Sequence, residues 1–137
     1  MTEKSSPFSF KPTPGLVLVA EDDDISYSLI EIILSQRGNK ILRAITGKEA
    51  IEIFKQNPDI SLILMDLKMP VMDGYEATAE IKKMNSEVPV LAQTAYALAG
   101  DDKKALRVGC DDYITKPIKK DDLLKKIDSL LKQYSNH

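Results

Sequence analysis

An apolar run that ends abruptly in an acid sets the frame for the whole chain. Residues Ile60 to Met65 read Ile-Ser-Leu-Ile-Leu-Met, which suits a strand buried on both faces of a parallel sheet. Asp66 follows at once. A carboxylate buried there without a partner would be costly, so it reaches water at the strand's end or meets a cation. Pro70 and the Asp73-Gly74 pair then break regularity. A helix is predicted from about Tyr75 to Met84, with Ala77, Thr78 and Ile81 spaced to face the sheet. Strand, terminal acid, turn and helix form the unit that places ligands at the edge of an open α/β sheet. An aspartate that merely begins a surface turn is the competing reading of this segment alone.

The same unit recurs along the chain. Leu16 to Ala20 reads as a short buried strand, and Glu21-Asp22-Asp23-Asp24 follows it directly. Adjacent acids repel one another, and a helix N-terminus needs only one as its cap, a role that falls to Asp24 ahead of a helix from Ile25 to Arg37. Glu21 and Asp22 sit where a strand gives out, as Asp66 does, and two such ends invite a shared cation. Gly38 closes that helix at C′. Lys40 to Ala44 reads as a shorter, more exposed strand; Gly47 to Asn57 makes a helix with Ala50, Ile51 and Phe54 on one stripe, stopped by Pro58. Val88 to Gln93 is the fourth strand, with Thr94 at its end, a position where a hydroxyl usually only forms a turn. Gly100 to Val108 is a weak helix with a thin stripe of Ala105, Leu106 and Val108, and is expected to be the least firmly anchored. Asp112 to Thr115 is the fifth strand, Lys116-Pro117 follows, and a last helix from Lys119 to Tyr134 carries Leu123, Leu124, Ile127, Leu130, Leu131 and Tyr134 on one face.

Composition narrows the function classes. A chain of 137 residues with 43% hydrophobic and 29% charged content fits one compact domain. That domain spans residues 16 to 134, behind a proline-punctuated tether at 1 to 15 and ahead of a short tail at 135 to 137. The net charge of −2, without a basic block, argues against a nucleic-acid surface. No apolar run approaches the roughly 18 residues of a membrane span. Cys110 stands alone, so no internal disulfide forms; it reads as a small buried hydrophobe in a chain expected in a reducing cytoplasm. The single histidine, His137, is terminal and offers no metal site or triad.

Five strands alternating with five helices give a parallel sheet with right-handed crossovers. At this size the natural choice is the flavodoxin-like (βα)5 fold, a doubly wound sheet of strand order 2-1-3-4-5 with its crevice between the carboxyl ends of strands one and three. Glu21, Asp22 and Asp66 then become neighbours, with Thr94 and Lys116 beside them. Taken together, Glu21-Asp22, Asp66 within M-D-L-K-M-P-V-M-D-G, Thr94-Ala95, Tyr113 and Lys116-Pro117 resemble the receiver domain of two-component response regulators. The wording A-E-D-D, M-P-V-M-D-G-Y-E-A-T and A-Q-T-A-Y-A-L-A-G-D is similar to receivers of hybrid sensor histidine kinases.

The resemblance implies a phosphorylation-dependent switch rather than an enzyme acting on other molecules. Asp66 would accept a phosphoryl group from a histidine kinase or a histidine phosphotransfer domain. Mg2+ or Mn2+ would be held by Asp22 and Asp66, with Glu21 through a water and the backbone carbonyl of Lys68; hard oxygen ligands suit such an ion. Lys116 and Thr94 would contact phosphoryl oxygens, and the Lys116-Pro117 bond would be cis. Movement of Thr94 would let Tyr113 turn inward and remodel the face of the fourth helix, fifth strand and fifth helix, a face that could also pair two copies. Read from its strand alone, Tyr113 is a half-buried core tyrosine. Lys68 and Tyr96 would border the path of hydrolytic water, with Tyr96 shielding the acyl phosphate. A phosphatase with an aspartyl nucleophile normally wants a second acid two residues on, where this chain has Lys68. A flavodoxin-like cofactor carrier needs a phosphate-cradling loop where this chain has four acids. An interaction module that does not use phosphorylation is the remaining alternative.

Overall fold

The computed structural model describes residues 15–95 and 100–135. Its strands are β1 (Leu16–Ala20), β2 (Lys40–Ala44), β3 (Ile60–Asp66), β4 (Val90–Thr94) and β5 (Asp112–Thr115). Between and after them run α1 (Asp24–Gln36), α2 (Gly47–Gln56), α3 (Gly74–Met84), α4 (Asp101–Val108) and α5 (Lys120–Ser135). The strands pair in parallel in the order β2-β1-β3-β4-β5, the flavodoxin-like arrangement that the alternation of elements predicts.

Period-two alternation splits the strand residues between two cores. Leu18, Ile63, Met65, Val90 and Ala92 meet Ala50 and Phe54 of α2, Ala77 and Ile81 of α3, and Ala105 of α4. Val17, Val19, Leu62, Leu64 and Leu91 meet Ile30, Ile33 and Leu34 of α1 and Leu123, Ile127 and Leu130 of α5. With both faces covered, every parallel strand ends its apolar run at the same rim, and the polar residues that follow collect there.

Several boundaries differ from expectation for identifiable reasons. Asp23, not Asp24, caps α1: its backbone is extended and its carboxylate accepts from the Ser26 amide at 2.8 Å. Asp24 becomes the first helical residue and turns its carboxylate to Arg43. β4 starts at Val90 rather than Val88, because Pro89 has no amide hydrogen for the ladder and pairing begins at Ile63 with Val90. Leu106, expected on the apolar stripe of α4, is 51% exposed. The other two stripe residues do face inward, Ala105 fully buried and Val108 packed against the same core, and the Lys104 ammonium, 4.2 Å from the centre of the Tyr75 ring, adds a further attachment. Residues 1–14 of the expected tether, and residues 136 and 137, lie outside the described residues. Among the described residues no helix is long and apolar enough to cross a membrane.

Candidate functional site

Glu21, the residue after β1, is fully buried and held at every polar atom. Its amide donates to the Ala44 carbonyl at 2.9 Å and its own carbonyl accepts from Arg43 Nε at 3.1 Å. Its Oε2 accepts from the Asp23 amide at 3.1 Å and its Oε1 from Lys116 Nζ at 2.8 Å. Asp66, which ends β3, is also buried; Oδ1 accepts from the Lys68 amide at 3.1 Å and Oδ2 from the same Lys116 ammonium at 3.0 Å. Asp22 is exposed beside them. One carboxylate oxygen from each of Glu21, Asp22 and Asp66 lies within 4.8 Å of the others.

Local turns place these groups. The Leu67 amide donates to the Gln93 carbonyl at 3.1 Å, carrying the β3–β4 ladder one residue past Asp66. The loop then doubles back: Met72 donates to the Pro70 carbonyl at 2.8 Å around Val71, whose φ is +69°, and Gly74 donates to Leu67 at 3.2 Å. A Cβ at Gly74 would stand 2.2 Å from the Asp66 carbonyl oxygen, so only glycine lets α3 start this close to the acid. Thr94 is buried at the end of β4, and its carbonyl accepts from the Lys116 amide at 2.8 Å. The Lys116-Pro117 peptide bond is cis.

The charges are mutually dependent. Burial pushes the Glu21 carboxyl up, the Asp66 charge adds to this, and the Lys116 and Asp23 hydrogen bonds only partly offset it. Burial alone would lower the Lys116 ammonium, but its hydrogen bonds to Glu21 and Asp66 and their charges outweigh that and leave it raised. Lys116 therefore stays protonated between the two acids. Three convergent carboxylates, two buried and one open to solvent, with no nitrogen or sulfur donor among them, fit a hard divalent cation.

Of the residues singled out in the sequence, Glu21, Asp22, Asp66 and Lys116 come together directly. The Lys68 backbone and Thr94 border them. Tyr113 sits in β5 opposite Ala92, half-buried, with Lys126 Nζ 5.5 Å from its ring centre. Tyr96 lies outside the described residues. Arg43 was not singled out, yet it reaches the site from β2. The available signal was a cation near the end of a strand that borders a four-acid run.

Comparisons with known proteins bear on this rim. The profile described as "Response regulator receiver domain" matches residues 17–128. The chain is 38% identical over 129 residues to hybrid signal transduction histidine kinase I of Dictyostelium discoideum, covering 88% of this chain but only 7% of that protein. It is 33% identical over 121 residues to the polar-differentiation response regulator DivK of Brucella anthropi, covering 86% of this chain and 97% of that one. Among solved structures, it is similar to the receiver domain of a sensor histidine kinase from Pseudomonas aeruginosa PAO1, solved with magnesium coordinated in its active site cleft. That match has a TM-score of 0.81 at 32% identity, over 87% of this chain and 98% of the other.

Proposed function

Because the chain belongs to the response regulator receiver family, we propose that it is a signalling switch phosphorylated on Asp66 by a phosphohistidine of a histidine kinase or histidine phosphotransfer domain. The observation that carries this reading is the single Lys116 ammonium 2.8 Å from Glu21 and 3.0 Å from Asp66, with Asp22 beside them. A carboxylate oxygen of Asp66 attacks phosphorus, the P–N bond to the donor imidazole breaks, and the imidazole leaves with the bonding pair. Asp22, Asp66, Glu21 through a water and the Lys68 carbonyl are the groups that would hold Mg2+ or Mn2+. The bound ion supplies positive charge that offsets repulsion between these acids and the incoming phosphoryl group.

This chain's own groups do the rest. Lys116 is close enough to Asp66 to meet a phosphoryl oxygen as a point charge, and the Thr94 hydroxyl meets another. Inward movement of Thr94 gives Tyr113 room to turn, changing the α4–β5–α5 face and what it binds, a second copy included. A kinase partner of this kind places the domain in the cytoplasm. Incubation with acetyl phosphate and Mg2+ followed by peptide mass spectrometry tests the assignment. A single phosphoryl group on Asp66, absent from Asp66→Asn, is expected; labelling that persists elsewhere in the variant overturns it.

A further inference from the structure

We propose that Arg43 is a positioning residue for the cation-binding acids, fixing the shape of the Glu21–Asp24 loop; this rests on the reading of the acid rim as a divalent-cation site. Arg43 projects from β2, paired in register with Val19 of β1. Its Nε–H donates to the Glu21 carbonyl at 3.1 Å, and Nη2 donates to Asp24 Oδ1 at 2.8 Å. The guanidinium carbon lies 4.4 Å from the centre of the Tyr27 ring. One side chain thus grips the loop before Asp22, after it, and one helical turn further on.

Asp22 lies between the first two of these attachments. Its direction is set by the backbone on either side, because Glu21 is pinned at all four polar atoms and Asp23 is engaged at three groups, its carbonyl accepting from the Tyr27 amide at 2.9 Å. The Asp23 amide donates to Glu21 Oε2, and its carboxylate caps α1 through Ser26. Arg43 supplies the hold on the Glu21 carbonyl that the other contacts do not.

Charge alone gives no reason for an arginine here, since a cation beside a cation site opposes metal uptake. The ion pair with Asp24, whose side chain is 88% exposed, contributes little by itself. Geometry is what distinguishes arginine from lysine. A planar fork holds two acceptors in fixed directions while its flat face stacks on a ring, whereas an ammonium on a flexible stem is a compact point charge with neither a fixed fork nor a flat face. Charge and geometry therefore act in opposite directions on metal affinity, and Arg43→Lys separates them by keeping the first and losing the second.

Calorimetric titration of Mg2+ into the metal-free chain supplies one readout, and amide hydrogen exchange at Asp23 without metal supplies a second. Arg43→Lys is expected to weaken Mg2+ binding about tenfold, the lower end for residues that orient ligands, and to speed Asp23 exchange. Tyr27→Leu, which changes no charge, is expected to weaken binding in the same direction and stands in if Arg43→Lys fails to fold. Wild-type affinity in the variants that fold, or unchanged Asp23 exchange in Arg43→Lys, overturns the proposal, since Arg43 would then serve only general stability. A wild-type chain that takes up no Mg2+ overturns the site assignment itself; wild-type uptake with unchanged uptake in the variants overturns the role of Arg43 alone.

Discussion

Lys116 is the charge that lets two buried carboxylates coexist. Glu21 has no exposed side-chain surface and Asp66 has 8%, so the ammonium between them meets little competition from water. Removing one partner of a buried ionic group typically costs about 3–5 kcal/mol, because the remaining charge is stranded. Lys116→Met should fall near the low end, about 3 kcal/mol at pH 7, since Glu21 can escape by taking a proton. The pH dependence has a definite sign. Glu21 already has a folded-state pKa raised above its ordinary 4.5, by burial first, and the variant loses the Lys116 hydrogen bond that held it down. A carboxyl raised on folding binds its proton more tightly in the folded chain, so its contribution to stability improves as pH falls through the raised value. The deficit of Lys116→Met should therefore shrink between pH 7 and pH 5, and added Mg2+ should recover part of it at pH 7. Urea unfolding of both proteins at the two pH values, with and without Mg2+, measures this. Equal stability at pH 7 would show that the ammonium compensates nothing.

Between elements, the closest approach that matters is the start of α3 against the end of β3. A methyl group at position 74 would sit 2.2 Å from the Asp66 carbonyl oxygen and 2.9 Å from Leu67 Cα, both backbone atoms that cannot swing away. Gly74→Ala should cost about 3 kcal/mol in thermal or urea unfolding, at the upper end for overpacking. It should also weaken Mg2+ binding by displacing Asp66, and native-like stability with intact binding would contradict the packing argument. The elements themselves were largely readable. The apolar run of β3 and the amphipathic spacing of α5 are periodic enough to identify each, and the crossover lengths and right-handed rule leave few strand orders. The start of α1 was not readable, because Asp22, Asp23 and Asp24 are all capable caps and only tertiary contacts select Asp23. Leu106 was misassigned for a related reason: α4 is attached partly through Lys104 on Tyr75, a contact that no hydrophobic pattern records.

Across the whole molecule, the acid rim was readable because its members follow strands directly, so knowing the strand order was enough to bring them together. The opposite end of the sheet was not. There the Asp111 carboxylate accepts from the Val90 amide at 2.8 Å, from Lys82 Nζ at 3.0 Å and from the Tyr134 hydroxyl at 2.6 Å, joining β4, α3 and α5. Burial and the hydrogen bond donated to Asp111 push the Tyr134 phenol up. In the sequence Lys82 is a surface lysine of an amphipathic helix and Tyr134 belongs to an apolar stripe, so nothing announces the knot. Cys110, next to Asp111, provides a global readout of how dry this end is. It is 4% exposed, with Thr78 Oγ1 3.7 Å from its sulfur, and burial pushes its thiol from the ordinary 9.0 up to about 11. In the unfolded chain the thiol ionises first as pH rises, while the folded chain keeps its proton. The stability linked to this thiol is thus complete below pH 9 and is lost as pH rises through 9 to 11, by roughly 3 kcal/mol at most. Lysines and tyrosines titrate in the same window, but their effects cancel when wild type is compared with Cys110→Ala. The stability advantage of wild type over Cys110→Ala should shrink from pH 8.5 to pH 11 in urea unfolding (roughly the span of the two thiol pKa values). Parallel curves would mean that water reaches the thiol and that this end of the fold opens more readily than its packing indicates.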